Sequence, residues 1–441
     1  MSTTMETRPF PHLHATARAA LRGWALLAVG ALAVAGALAL LLALSRTPGV
    51  QHWLPWGADF FHKGLVTHVV FSFQVWFLAM LGVLAALCGA GGMAGPAVAT
   101  AGAALLLVPT LAGWGEPSLN NYVPVLDHPL FLAGLALLAA GVAAGTTLLR
   151  PSLAPARFGT ATAVVGLWAA LACFALALML IPPDTDRALH LERLFWGGGH
   201  VLQFVNTALL MVAWQALAQA AFGRGALPPA LARASFAALG LFTLAAPLLY
   251  RLDVLGLAHR QAFTQLLWYG LPLPPLVMGL GVAWMLATRR RDWRSPAILS
   301  LALSLAVFGL GGGAGFFLGV ADTRTPSHYH AVIGGVNLAL MGLMHVFALP
   351  ALGRAARPGR WLTAQFHLYG GGQALHAAGF YIAGLAGVAR KTAGADQGLD
   401  SGLKLVSMGM VGLGAAVAVL GGVLFVATVL ALLLKREDRH G

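Results

Sequence analysis

The residues best equipped for chemistry in this chain are its histidines. There are 15 His against 14 Asp and Glu combined, an inversion of the usual order that an apolar sequence has to account for. Five of them lie at the edges of long apolar segments. His68 stands in Lys63-Gly-Leu-Val-Thr-His68-Val-Val, His200 in Trp196-Gly-Gly-Gly-His200-Val-Leu-Gln203-Phe204, His259 in Gly256-Leu-Ala-His259-Arg260, and the last two in Thr325-Pro-Ser-His328-Tyr329-His330. Neutral imidazole is a strong ligand for iron, copper and zinc, and helix bundles build such sites from side chains on facing helices. The pair His328/His330 is the most telling. Residues i and i+2 differ by about 200° around a helix, so the two rings point to opposite sides and do not readily share one metal. Each can hold a different flat cofactor with the helix between them, and His68 can supply the second axial ligand to one.

The other histidines carry less. His12, His14, His52, His62, His190 and His440 lie in tails, loops or segment edges and read as polar anchors. His128, after Asp127, reads as an edge contact. His345, His367 and His376 lie inside the tenth and eleventh apolar segments, where a polar group is either functional or bonded to a neighbouring helix. Cys88 and Cys173 sit within apolar runs and read as packing residues.

The elements that must position these side chains follow from composition. The chain has 441 residues, 59% apolar and 9% charged, with mean hydropathy +0.80. A soluble domain carries about 25% charged residues, so a water-facing globule, a disordered chain and a disulfide scaffold are all excluded. With little strand alternation, an all-α polytopic membrane bundle is what remains, since only helices or closed barrels satisfy their backbone in lipid. A span needs about 20 apolar residues. The pattern predicts twelve, at 23–45, 65–89, 93–113, 129–149, 159–182, 197–221, 232–250, 262–287, 296–319, 328–351, 362–388 and 403–434. The first is longer than a signal-peptide core and reads as an uncleaved span. Leu271-Pro-Leu-Pro-Pro275 should kink the eighth, and the glycine runs 197–199, 311–313 and 370–372 allow close helix approach or room for a flat ligand. This leaves a tail at 1–22, one membrane domain at 23–434 and a short tail at 435–441.

Charge sets the orientation. With a cytoplasmic N-terminus, 17 of the 27 Lys and Arg and 4 of the 14 carboxylates fall on the inner side. The net +13 therefore resides on the inner side, with Arg289-Arg290-Arg291 and Arg354/Arg357/Arg360 as anchors. That is a topology signal and not a nucleic-acid patch. Both termini are then cytoplasmic, and the five histidines gather near the outer face.

Twelve spans with histidines on the second, sixth, seventh and tenth, and His-x-His at the head of the tenth, resemble subunit I of the haem–copper oxidase superfamily, which includes cytochrome oxidases and nitric oxide reductases. The similarity covers essentially the whole chain. It implies that His68 and His330 are the axial ligands of a low-spin haem, that His328 is the proximal ligand of a high-spin haem, and that His200 and His259 bind a second metal, copper or non-haem iron. Arg390-Lys391, between the last two spans, resembles a basic pair that holds haem propionates; its alternative is a solvated charge pair. The implied activity is reduction of O2 to water in a bacterial inner membrane. Electrons would come from a cytochrome c or a copper-containing subunit, in a complex with other oxidase subunits. Nitric oxide reduction and non-catalytic haem binding are alternatives, and a secondary transporter is a third.

The sequence also departs from that family. Where the family has a second histidine after the seventh span, this chain has Arg260, whose guanidinium stays protonated and cannot ligate. Gln203 or water is then needed to complete the second-metal site. The tyrosine expected four residues after His200 is Phe204, and the position two after it is Leu202, leaving Tyr250 and Tyr269 as candidates. No carboxylate-lined proton path is visible in the inner half.

Overall fold

A computed structural model describes residues 9–50, 53, 58–147, 149–150 and 152–435; His52 and His440 lie outside the described residues. Twelve helices of 18 residues or more follow one another: α1 Ala15–Arg46, α2 Phe60–Leu87, α3 Ala94–Ala112, α4 Pro129–Thr146, α5 Pro155–Leu180, α6 Arg187–Phe222, α7 Pro229–Arg251, α8 Leu257–Thr288, α9 Pro296–Phe317, α10 Arg324–Ala351, α11 Arg360–Leu385 and α12 Gly402–Leu434. Between α3 and α4 a small antiparallel hairpin pairs β1 Glu116–Ser118 with β2 Val125–Asp127, Glu116 opposite Asp127. The chain is an all-α integral membrane helix bundle.

Eleven of the twelve helices are long and apolar enough to cross a membrane. The exception is α11. Its 26 residues suffice for length, but Gln365, His367, Gln373 and His376 lower its hydropathy. Gln365 and His376 are buried against protein, whereas His367 is exposed and donates from Nδ1 to the carbonyl of Thr363 in its own helix at 2.9 Å. Gly372 rides against the backbone at Ala418 of α12, and Gly414 against the backbone of His376, the close small-residue contact typical of membrane helices.

Two helices begin more than two turns earlier than their apolar runs indicate. The first starts at Ala15 with His14 as its cap. The sixth starts at Arg187, where Asp186 accepts hydrogen bonds from the amides of Ala188 and Leu189 at 3.1 and 3.2 Å, a strong N-terminal cap. With 36 residues, α6 is ~54 Å long, well beyond the ~30 Å hydrocarbon layer. Its first turns, Arg187 to Trp196, therefore rise out of the apolar zone. As expected from its prolines, α8 is broken: Leu257–Gly270 stops and Leu273–Thr288 resumes.

The site is positioned by the three innermost helices. Most of the apolar stretch of α2, α6 and α10 is buried (83%, 94% and 78%), against 44% or less for the other spans. These are the helices that carry His68, His200 and His328/His330. Two of them contain a π-helical turn, Val70–Val75 directly after His68 and Met344–Ala348 around His345. Such turns cost backbone regularity and concentrate at functional sites.

Candidate functional site

Three of the five histidines share one local arrangement. The Nδ1 of His68 lies 2.9 Å from the carbonyl of Ala35 on α1. That of His200 lies 2.7 Å from the carbonyl of Trp196 one turn earlier. That of His328 lies 2.7 Å from the carbonyl of Gly311 on α9. A carbonyl oxygen only accepts, so in each case Nδ1 carries the proton and Nε2 keeps its lone pair. This is the tautomer and orientation that a metal-bound imidazole requires. A fourth histidine has the same arrangement: His376 of α11 donates from Nδ1 to Val411 at 2.7 Å. The sequence leaves the role of His376 open between function and helix bonding. The available signal was an interior histidine three residues after Gln373 on a helix too polar to span by composition.

His68, His330 and His376 converge from α2, α10 and α11. The rings of His330 and His376 meet edge to face with centroids 4.7 Å apart and planes at 83°. Phe380 stacks on His330 at 5.5 Å, and Arg46, from the end of α1, lies over Phe380 at 5.1 Å. His68 and Arg46 are both within electrostatic reach of His330. His68, His328 and His330 are each only partly buried although they belong to the most enclosed helices. With Nδ1 held by a carbonyl and Nε2 free, His68 and His328 could each serve as an axial ligand to a haem.

On the other side of α10, His200 and His259 are brought together. Both rings touch Phe263, at 5.8 and 5.0 Å. Tyr122, from the hairpin loop, covers His200 at 4.2 Å, and Tyr250 covers His259 at 4.8 Å. His259 stands in the first turn of α8 rather than in the connection before it, and His200 lies thirteen residues into α6 instead of at its head. Both are fully buried, and Nε2 of His200 and both nitrogens of His259 lack a hydrogen-bond partner. Unpaired buried ring nitrogens call for a partner, and two neighbouring imidazoles could serve as ligands to one metal. The set is incomplete, however. Among the described residues no group of three His, Cys, Asp or Glu gathers to hold a metal ion. Arg260 turns outward, over the Trp196 ring at 5.0 Å and 3.7 Å from Glu192. Gln203 donates its Nε2 to Gly199 of its own helix at 3.1 Å. The donor set fits copper or non-haem iron only in part.

Of the candidate tyrosines, Tyr250 is buried with its hydroxyl unpaired, while Tyr269 is 75% exposed. Phe204 stacks on Phe242. Burial raises the Tyr122 hydroxyl to about 12, so it stays protonated over the physiological range. The hairpin carrying it is fixed to α6 by Arg187, whose guanidinium holds the Asp127 carboxyl below the usual carboxylate range.

The loop after α11 closes over the same end. Thr323 donates to the carbonyl of Val388 and Arg390 to that of Ala321, both at 3.0 Å, tying it to the head of α10. Lys391 adopts a left-handed φ of 61° and donates from Nζ to the carbonyl of Leu119 at 2.6 Å. Burial, and then the neighbouring Arg390, lower its ammonium to about 8. The pair is therefore partly drawn into the protein beside His328 and His330.

Comparison with known proteins places this architecture. No protein-family model matches the chain. It is 28% identical over 353 residues to an uncharacterized protein of Aquifex aeolicus, covering 77% of this chain and 86% of that one. It is 24% identical over 388 residues to the uncharacterized protein RP382 of Rickettsia prowazekii, covering 73% of this chain and 72% of that one. A cryo-EM structure of a heme-copper terminal oxidase dimer superposes with a TM-score of 0.74 over 97% of this chain and 85% of that chain, at 16% identity. The protein therefore has the haem–copper terminal oxidase fold.

Proposed function

We propose that this protein is a haem-dependent membrane oxidoreductase of the terminal-oxidase type, reducing O2 to water with electrons from a cytochrome c or a copper-containing subunit at the outer face. The observation that carries the reading is the shared arrangement of His68, His200 and His328: each locks its Nδ1 proton onto a backbone carbonyl and leaves Nε2 free. His68 and His330 would hold a low-spin haem, and His328 a high-spin haem whose open face looks toward His200 and His259. When bound, the haems supply the one-electron chemistry and an open iron position for a diatomic ligand.

The residues of the chain do the rest. Ala35, Trp196 and Gly311 fix ring planes through their carbonyls, Phe263 and Tyr250 exclude water around His259, and Arg390 and Lys391 offer positive charge to haem carboxylates. Other oxidase subunits would complete the complex, in a bacterial inner membrane with both termini cytoplasmic. Reduction of nitric oxide is the second reading, favoured by Phe204, since that reaction does not need the tyrosine missing there.

The test is the visible spectrum, haem extraction and metal analysis of the purified protein. Two haems per chain are expected, and fewer than one overturns the reading. Uptake of O2 or nitric oxide with a reduced donor, abolished by His200→Ala, separates an enzyme from a non-catalytic haem protein and identifies the substrate.

A further inference from the structure

We propose that the unpartnered buried groups around Arg193, beside His200 and His259, bind a small inorganic oxyanion of the size of nitrite, entering from the aqueous face past Trp196. The inference rests on the reading of this site as the ligand end of a haem protein, and it names a ligand class that the fold does not.

The outer part of α6 carries Arg193, Trp196, Gly197 and His200 at intervals of three and four residues, hence on one face. Gly197 lets this face be approached closely: a Cβ there would come within 2.8 Å of Phe263 and onto the Tyr250 hydroxyl. Around this stripe stands a concentration of buried groups with nothing to bond. Arg193 is 6% exposed, and its Nε and Nη1 have no partner. The same holds for Nε1 of Trp196, the hydroxyl of Tyr250, Nε of Arg260, Nε2 of His200 and both nitrogens of His259.

The acceptors that could answer them are engaged elsewhere. Glu192 lies 3.7 Å from Arg260, and Asp253 accepts from the amide of Leu255 at 3.0 Å. Neither bonds Arg193, although both act on it electrostatically. A buried guanidinium with unpaired N–H groups is strongly unfavourable unless an acceptor completes it, and each such group in a native protein calls for a water or an ion. Here the imbalance has a sign. One guanidinium, that of Arg193, an indole N–H and a phenol lie buried there without a free carboxylate. A planar anion with two or three oxygens satisfies such a set, since guanidinium is shaped for two parallel bonds to it. The charge of Arg193 opposes a bare divalent cation beside it.

The route is visible as well. Two clefts of about 390 and 410 Å³ open to solvent on either side of Trp196, which lines both. One is lined by Asn120, Asn121 and Tyr122, the other by Arg260 and Gln261. Trp196 packs on His200 with ring centroids 4.5 Å apart, so it separates both mouths from the imidazole pair.

The experiment titrates the full-length purified protein with sodium nitrite, reading binding by calorimetry and, where haem is present, by the shift of the haem absorption bands. Saturable one-site binding is expected. Arg193→Gln should weaken it at least tenfold, Arg193→Lys less, and Tyr250→Phe severalfold, while Arg291→Gln, on the opposite face, leaves it unchanged. If Arg193→Gln does not fold, Arg193→Lys and Tyr250→Phe carry the test. Absence of saturable binding, or affinity within twofold of the parent in those variants, overturns the proposal. So does loss of haem from Arg193→Gln with nitrite affinity intact, since the guanidinium would then be holding a haem carboxylate. Calorimetric binding in protein purified without haem would sustain the anion site while refuting the oxidase-type function, so the two failures are distinguishable.

Discussion

His328 donates its Nδ1 proton to the carbonyl of Gly311 across 2.7 Å, and Gly315, one turn further along α9, clears the space beside the ring: a Cβ there would stand 2.8 Å from the same Nδ1. The bare face of α9 thus holds one imidazole of α10 in a single orientation.

That relationship predicts a graded loss. His328→Ala should remove one of two haems per chain. Gly315→Ala keeps the histidine but forces its ring aside, and outer contacts of a ligand are worth about 10- to 100-fold in affinity. Its high-spin haem should therefore be retained in the cell and lost on dilution in detergent. Haem-to-protein ratios before and after gel filtration measure this. Two haems retained by His328→Ala would show that the site lies elsewhere.

The buried hydrogen bonds between α2, α10 and α11 predict a stability effect independent of any cofactor. Trp76 donates from Nε1 to Oδ1 of Asn337 at 2.8 Å, and Nδ2 of Asn337 donates to the Tyr369 hydroxyl at 2.7 Å. Asn337→Leu preserves volume but strands the indole donor, an unsatisfied group costing about 1–3 kcal/mol. Thermal unfolding in detergent should fall accordingly. Tyr369→Phe should lower it by a similar amount, because the hydroxyl is hydrogen-bonded to the side chains of both Asn337 and Gln373.

Much of this site was legible in the sequence, and the parts that were not have physical reasons. Eleven of the twelve spans, the proline break in α8 and the places of the five histidines on long helices follow from hydropathy period and residue type, which are local properties, whereas α11 is too polar for composition to mark it. The early start of α6 at Arg187 was hidden because its first turns are polar, and polar turns read as loop unless the Asp186 cap is weighed. The resemblance implied the partner for His68, but no local pattern marks His376, which acquires its place from a long-range contact with Val411. Likewise Arg193 reads as one of many outer charges until α7 and α8 close over it and leave its nitrogens without partners.

Lys391 gives a chemical prediction with a definite sign. Its ammonium is lowered from 10.5 to about 8 by burial and by Arg390, whereas an ordinary lysine titrates near 10.4. At pH 8 about half of Lys391 is the free amine, and it should be acylated ahead of the other lysines in haem-free protein. A haem carboxylate beside it favours the charged form, so loading with haem should protect it. Peptide mapping after brief acylation at pH 7 and pH 8 reads both effects. Equal labelling with and without haem would remove Lys391 from the propionate role.

The last prediction concerns Arg260→His, at the position where the resemblance to haem–copper oxidases implies a second histidine. The Arg260 side chain points away from His259, to the Trp196 ring and to Glu192, because residue 260 lies about 100° around α8 from residue 259. Both groups of the Glu192 pair are more than one-third exposed at 40% and 36%, so the pair contributes at most about 1 kcal/mol. The stacking on Trp196 adds a similar amount. The variant should fold with only a small loss in melting temperature, and its content of copper or non-haem iron should not rise, since the new imidazole would begin on the rim side of the helix. Metal analysis after growth in copper-supplemented medium reads the outcome directly. A stoichiometric gain of copper would mean that the first turn of α8 rotates to complete the set, and that Arg260 alone keeps this chain from a three-histidine second-metal site.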